Sequence, residues 1–136
     1  MRIALLLIAL WALCSCGGQQ IPVADAADLA LDTVTDSAQP MYEGVKAFCS
    51  AQEWAIVDSD RTASQKEAAV LKVRQKCDEI FALFDTIIRL QQDARVIVDA
   101  SRNGEADALA ALSRVKEVQA LLAEAGRLFQ ELRGSP

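Results

Sequence analysis

The fold class follows from residues 70–98, which read VLKVRQKCDEIFALFDTIIRLQQDARVIV. Apolar residues recur here at alternating steps of three and four, which places them on one face of an α-helix. A half-buried strand would instead need an apolar residue at every second position. The members of this seam are Val70, Val73, Cys77, Ile80, Phe84, Ile87, Ala94 and Val98, with Gln91 as a polar intruder. Flanking apolar residues widen the seam, so we expect this helix to contact two neighbours.

The same spacing continues on both sides of that helix. Upstream it runs from Ala24 to Ala55 with Gln52 as its polar member, and downstream it runs from Ala108 to Leu132. These patterns predict helices over residues 24–58, 64–102 and 105–133, with 134–136 as a frayed tail. Because the breaks between them are short, neighbouring helices should be antiparallel. The predicted fold is therefore all-α, a coiled-coil-like antiparallel bundle of three long helices.

Pro40 leaves one alternative open within the first helix. Proline lacks the backbone N–H that a helix interior uses, so it either kinks one long helix or opens a second one, with Ser37 or Gln39 as its N-cap. The second choice would make a four-helix bundle. Gly44 weakens the same region further. The sequence leaves open whether residues 24–39 pack on the bundle.

Two short motifs predict where the central helix begins and ends. Ser64 and Glu67 match a capping box, in which the serine and glutamate side chains each satisfy a free backbone N–H. Asn103 and Gly104 tolerate the left-handed conformation that closes a helix. The helix is therefore expected to begin at Ser64 and to end before Asn103.

The first residues are typical of an export signal. Met1 and Arg2 give a positive start, and residues 3–13 then run without a charge, over a length too short to span a bilayer. The signal ends in Leu13-Cys14-Ser15-Cys16, which resembles the lipobox of bacterial lipoproteins. An ordinary cleaved secretory signal is the alternative interpretation of the same residues.

The lipobox resemblance implies cleavage after residue 15 and lipidation of Cys16. In that class the cysteine sulfur carries a diacylglycerol and its freed amine usually a third acyl chain, such as palmitate, which together anchor a protein permanently. Residues 16–23 would then be the lipidated N-terminus and a short linker. Gly17 stands where lipoproteins retained in the inner membrane often carry Asp, so the resemblance favours the periplasmic face of the outer membrane.

Cys49 and Cys77 lie almost symmetrically about the polar break at residues 59–62. In a folded-back helical hairpin they would be within about one turn of the same level. Because an exported compartment is oxidising, we predict a disulfide between them. A redox pair or metal site is the alternative, but the chain has neither a Cys-x-x-Cys motif nor a histidine to support one.

Acidic residues are concentrated near the start of the first helix. Residues 17–45 hold five acids and no Lys or Arg, whereas residues 46–136 hold 14 acids against 13 bases. Their spacing predicts a solvated helix face, and a contact surface for a cationic protein partner is the sharper alternative. A further hypothesis assigns partner contacts to two aromatic residues off the main seam, because such side chains anchor interfaces. The candidate contact residues are Asp25, Asp28, Asp32, Asp36, Tyr42 and Trp54.

Composition excludes several kinds of function. The 136 residues contain no histidine and carry a formal net charge of −5, which removes histidine-based catalysis and disfavours binding to nucleic acid. No phosphate-binding loop, nucleophile elbow or EF-hand pattern occurs in the sequence. We therefore expect no catalytic residues, no metal site and no cofactor.

The sequence thus predicts a small lipid-anchored periplasmic helical protein that acts through contacts with another envelope protein. Its role would be that of a structural accessory, or of an exclusion or inhibitory lipoprotein of the kind also carried by phages and prophages. The alternative is a lipoprotein module that binds an apolar or amphipathic ligand between its helices.

Overall fold

The computed structural model describes residues 22–104 and 106–134, which form three α-helices. They are α1 (Val23–Val57), α2 (Ala63–Arg102) and α3 (Ala108–Gly134), and each packs against the other two. Short connections make consecutive helices antiparallel, so the predicted all-α bundle of three long helices is confirmed. At 1.5 Å per residue, α2 is about 60 Å long. The predicted signal and lipidation site lie outside the described residues.

Helix α1 is continuous through Pro40. The missing proline N–H leaves the carbonyl of Asp36 without its helical partner, but buried residues on both sides, Ala38 and Val45, hold the helix on the core. The split into two helices is therefore not adopted. Residues 24–39 do pack on the bundle, because Ala27 and Leu31 are fully buried.

The capping box of α2 differs from the predicted one. Thr62 is the N-cap: its hydroxyl accepts a hydrogen bond from the Gln65 N–H at 3.4 Å, and the Gln65 side chain accepts one from the Thr62 N–H at 3.0 Å. The prediction of Ser64 and Glu67 was wrong because the same four-residue pattern occurs two residues earlier, where Thr62 has an extended conformation. Ser64 consequently lies inside the first turn.

The connection from α2 to α3 is closed by backbone geometry and by a side chain. Asn103 ends α2, and Gly104 follows with a φ of +76°, as its predicted role in helix termination requires. The Asp107 carboxylate then accepts a hydrogen bond from the Leu109 N–H at 2.9 Å, which satisfies one free donor at the start of α3. Helix α3 therefore begins at Ala108, slightly later than the predicted residue 105.

The core is a single cluster along the seams of the three helices. Phe84, Leu31, Ile80 and Ile87 are its largest fully buried side chains. No polar or charged residue in the described part of the chain is buried. Hydrophobic burial along the whole length of the rod is thus the main force that holds the helices together. The residues at its centre are Ala27, Leu31, Val34, Ala38, Val45, Cys49, Cys77, Ile80, Phe84, Ile87, Ala94, Val98, Ala111, Val115, Val118, Leu122, Ala125 and Leu132.

A disulfide joins Cys49 of α1 to Cys77 of α2. Their Cα atoms are 6.3 Å apart, a separation that a disulfide spans without moving the backbone, and both side chains are buried. The bond lies towards the end of the bundle where α1 turns into α2. It therefore ties together the hairpin that the two helices form.

Replacing helical glycines by alanine should stabilise the protein. A Cβ added at Gly44 meets no atom within 4 Å, and one added at Gly126 meets only the Met41 Cε at 3.7 Å. Gly44→Ala and Gly126→Ala should therefore each raise the free energy of unfolding by up to about 1 kcal/mol, measured by chemical denaturation. Gly104→Ala is the matched control and should lower it by about 1 kcal/mol, because an L residue is strained at positive φ. A loss of stability in Gly44→Ala would contradict the continuity of α1.

Removing the disulfide should lower stability considerably. The bond closes a loop with a sequence separation of 28, for which the chain-entropy model gives a stabilisation of about 3–4 kcal/mol. The Cys49→Ala/Cys77→Ala double variant should melt well below the wild type in non-reducing buffer, and addition of a reductant should abolish most of that difference. Peptide mapping that found Cys49 and Cys77 alkylated without prior reduction would exclude the bond.

Candidate functional site

The first half of α1 is joined to the end of α2 by exposed ion pairs. Arg102 donates hydrogen bonds to Asp25 at 3.1 Å and to Asp28 at 2.8 Å, and Arg95 donates one to Asp32 at 3.0 Å. The hydrogen bond to Asp28, followed in size of effect by the one to Asp25, raises the pKa of Arg102 above its ordinary value. Most of the predicted acidic face is thus balanced by arginines of the same chain, which leaves less net charge to attract a cationic partner.

Asp36 differs from the other three carboxylates of this group. It is exposed, and among the residues that the structure describes no ion pair includes it. The sequence pattern placed all four aspartates on one helix face, but only those near the arginines of α2 are neutralised. Asp36 is therefore the best control position for tests of the ion pairs.

Gln91, the polar member of the α2 seam, binds across to α1. Its Nε2 donates to the Thr35 hydroxyl at 3.2 Å, and that hydroxyl donates to the Leu31 carbonyl at 2.8 Å. The glutamine is half-buried and its partner satisfies it, so it specifies how α1 and α2 align rather than forming a binding site.

Another cross-helix ion pair lies near the turn between α1 and α2. Arg74 donates two hydrogen bonds of 2.9 Å to the two carboxylate oxygens of Glu53. This bidentate contact lowers the pKa of Glu53 and raises that of Arg74. Both groups are partly exposed, so the pair orients the helices and contributes little net stability.

The two aromatic candidates for partner contacts have different environments. Tyr42 is half-buried, and its ring makes edge contacts with Phe81 and Phe84 at centroid distances of 5.5 and 5.4 Å. It therefore serves internal packing. Trp54 is 68% exposed near the end of α1, which leaves most of its indole ring accessible to a partner.

Trp54 lies at about the level where the described part of α3 ends. The C-terminal turns of α3 lie beside Lys76 and Ile80 of α2, whereas α2 begins at Ala63. The hairpin of α1 and α2 therefore projects about 15–20 Å beyond α3. We call this part the hairpin tip; its exposed large apolar side chains are Trp54, Val57 and Leu71.

The described residues offer little space for a ligand. A depression of about 80 Å³ between α2 and α3 is lined by residues of both helices, including Ile80 and Leu128. The larger depression is lined only by α2, between Leu71 and Ala82, so it is an open surface rather than a gap between helices. Small-molecule sites usually enclose several hundred cubic ångströms.

Tests for metal-binding groups and membrane-spanning helices, and comparisons with known proteins, do not assign a function to the described residues. Residues 22–104 and 106–134 contain no group of His, Cys, Asp or Glu that is suited to hold a metal ion. Within the same residues, no helix is long and apolar enough to cross a membrane. No protein family model matches the chain, and no curated protein or solved structure is significantly similar to it.

Stability should depend on pH only on the acid side. Hydrogen bonds from Arg74 and Arg127 lower the pKa values of Glu53 and Glu124 below the ordinary 4.5. Their contribution is complete above pH 4.5 and is lost as the pH falls through the lowered values. Between about pH 6 and 8 the melting temperature should stay constant, because the chain has no histidine and the disulfide cysteines do not titrate.

The check is a series of thermal melts from about pH 3 to 8. Glu53→Gln combined with Glu124→Gln should reduce the acid-side slope while leaving the neutral plateau flat. A steep change of the melting temperature between pH 6 and 8 would contradict the assignment of these groups.

Proposed function

We propose that this chain is a lipid-anchored protein on the periplasmic face of a bacterial outer membrane, and that it acts through protein contacts rather than catalysis. The anchor is inferred from Leu13-Cys14-Ser15-Cys16, with Cys16 as the lipidated residue. A structural accessory role, or an exclusion or inhibitory role of the kind found among phage and prophage lipoproteins, agrees with a rod on which one depression is an open surface of α2 and the other, between α2 and α3, holds only about 80 Å³.

The observation that carries the proposal is the arrangement of the two ends of α1. This helix begins at Val23, a few residues after Cys16, and runs for 35 residues to the hairpin tip. At 1.5 Å per residue, a tether at Cys16 would hold the tip about 50 Å from the start of α1. The exposed Trp54 and Leu71 would then lie towards the end of the rod that is farther from Cys16, where another envelope protein has access to them.

The ligand-binding alternative has less support. A lipid or another amphipathic molecule between the helices would need a cavity several times larger than the depression of about 80 Å³ between α2 and α3. In the packed bundle the seams are filled by side chains. Contacts on the outside of the rod therefore explain its shape better.

Lipidation should depend on one cysteine. In cells fed labelled palmitate, the wild type should incorporate label, Cys16→Ser should lose it and Cys14→Ser should retain it, because only Cys16 has Leu at the third position before it. The Cys16→Ser product should also lose its association with the outer membrane on density fractionation. Label retained in Cys16→Ser would refute this assignment.

Partner contacts should concentrate at the hairpin tip. A photocrosslinking amino acid in place of Trp54 or Leu71 should give one reproducible crosslinked protein band in intact cells, whereas the same group at Gln119 should not. Gln119 is exposed on α3, away from the tip, and serves as the matched control. Bands of equal strength at all positions, or none, would contradict a contact function of the tip.

A further inference from the structure

The two halves of α1 are attached to the bundle by different kinds of contact. After Pro40, Phe48 packs edge-on against Phe129 at 5.5 Å, Tyr42 packs against two rings, and Cys49 is covalently bound to α2. Before Pro40, no ring contact or disulfide is found among the described residues. We call residues 23–39 the arm; its buried residues are Ala27, Leu31, Val34 and Ala38, all of them aliphatic.

Several features also weaken the helix backbone around the junction of these halves. The hydroxyls of Thr33, Thr35 and Ser37 each donate to the carbonyl four residues earlier, a pattern that bends helices and slightly destabilises them. Pro40 then removes one helical hydrogen bond, and Gly44 follows within a turn. Pro40 and Gly44 are themselves exposed, so the helix is held on the core there only by their buried neighbours Ala38 and Val45.

The polar contacts of the arm are of a kind that solvent and salt weaken. The Arg102 pairs with Asp25 and Asp28 and the Arg95 pair with Asp32 are all substantially exposed. Exposed pairs of this type are screened by salt at moderate concentration. Screening of these pairs would leave the arm held by apolar burial and a side-chain hydrogen bond to α2, whereas ring contacts and the disulfide also hold the rest of α1.

We propose that the arm is a hinged segment that opens at Pro40 and uncovers a docking groove between α2 and α3. The groove would be lined by Ala94 and Val98 of α2 and by Ala111 and Val115 of α3, which belong to the core cluster at the level of the arm. In the closed state the arm itself fills this groove and prevents a partner from binding there.

The segment that binds the open groove is an acidic amphipathic helix of a partner protein. The alanine and valine side chains of the groove fit apolar residues up to the size of leucine at a spacing of three and four, as in the arm itself. The arm meets Arg95 and Arg102 of α2 with Asp25, Asp28 and Asp32, and Arg102 also pairs with Asp99 of its own helix at 3.7 Å. A competing helix must therefore present carboxylates at the same places. This inference depends on the proposed contact function but not on the lipid anchor.

Hydrogen exchange tests the hinge in the full chain. Amides of residues 31–38 should exchange at least about tenfold faster than those of residues 45–56, with a step in protection at Pro40, and added salt should accelerate only the arm. Simple fraying would affect the first turn alone. Pro40→Ala should slow exchange of the arm. Equal protection on both sides of Pro40 would overturn the proposal.

A peptide competition experiment tests the groove. A labelled peptide of residues 22–40 should bind the Asp25→Asn/Asp28→Asn variant at least about fivefold more tightly than the wild type, because the weakened arm competes less well for the groove. Asp36→Asn is the matched control and should behave as the wild type. Adding Arg95→Gln and Arg102→Gln to the double variant should abolish its tighter binding of the peptide.

The outcomes separate this inference from the proposed function. An opening arm without saturable peptide binding would refute the docking groove and leave a hinge without a binding site. Crosslinking at Trp54 together with a rigid arm would refute the inference while supporting the contact function. Failure of palmitate labelling would change neither result.

Discussion

The antiparallel alignment of α1 and α2 is the constraint on which the rest of the structure depends. In an antiparallel hairpin the residue numbers of facing partners have a nearly constant sum. That sum is 126 for Cys49 and Cys77 and also for Thr35 and Gln91, at widely separated levels of the rod. One alignment therefore satisfies a covalent bond, a half-buried amide and the apolar seams together, and a shift of either helix would disrupt all three.

Much of this arrangement could be predicted because helical periodicity is a local property of the chain. The spacing of the apolar seams predicted the three helices. Gly104 marked the end of α2 because Asn103 and Gly104, which tolerate positive φ, directly follow the periodic residues. The start of α2 was misplaced for a local reason. Two overlapping capping patterns, at Thr62 and Ser64, are equivalent in sequence, and only the path of the preceding turn selects the first.

The ion pairs illustrate what periodicity alone could not supply. It placed Asp25, Asp28 and Asp32 on one face but said nothing about what lies opposite, because that depends on the alignment of two helices. The signal was nevertheless present. The sum of 126 from the cysteine pair places Arg95 and Arg102 within one residue of the positions facing Asp32 and Asp25. A predicted disulfide therefore carries information about charge pairing along the entire hairpin.

The distribution of stabilising contacts along the rod connects these observations to function. The ring contacts and the disulfide involve the part of α1 after Pro40, whereas the arm is held by Ala27, Leu31, Val34 and Ala38 and by exposed ion pairs. Large apolar contacts and covalent bonds resist salt, while exposed ion pairs do not. The part of α1 after Pro40 thus has a covalent bond and ring contacts that the arm lacks, so we expect force or competition applied at the N-terminal end of α1 to act first on the arm.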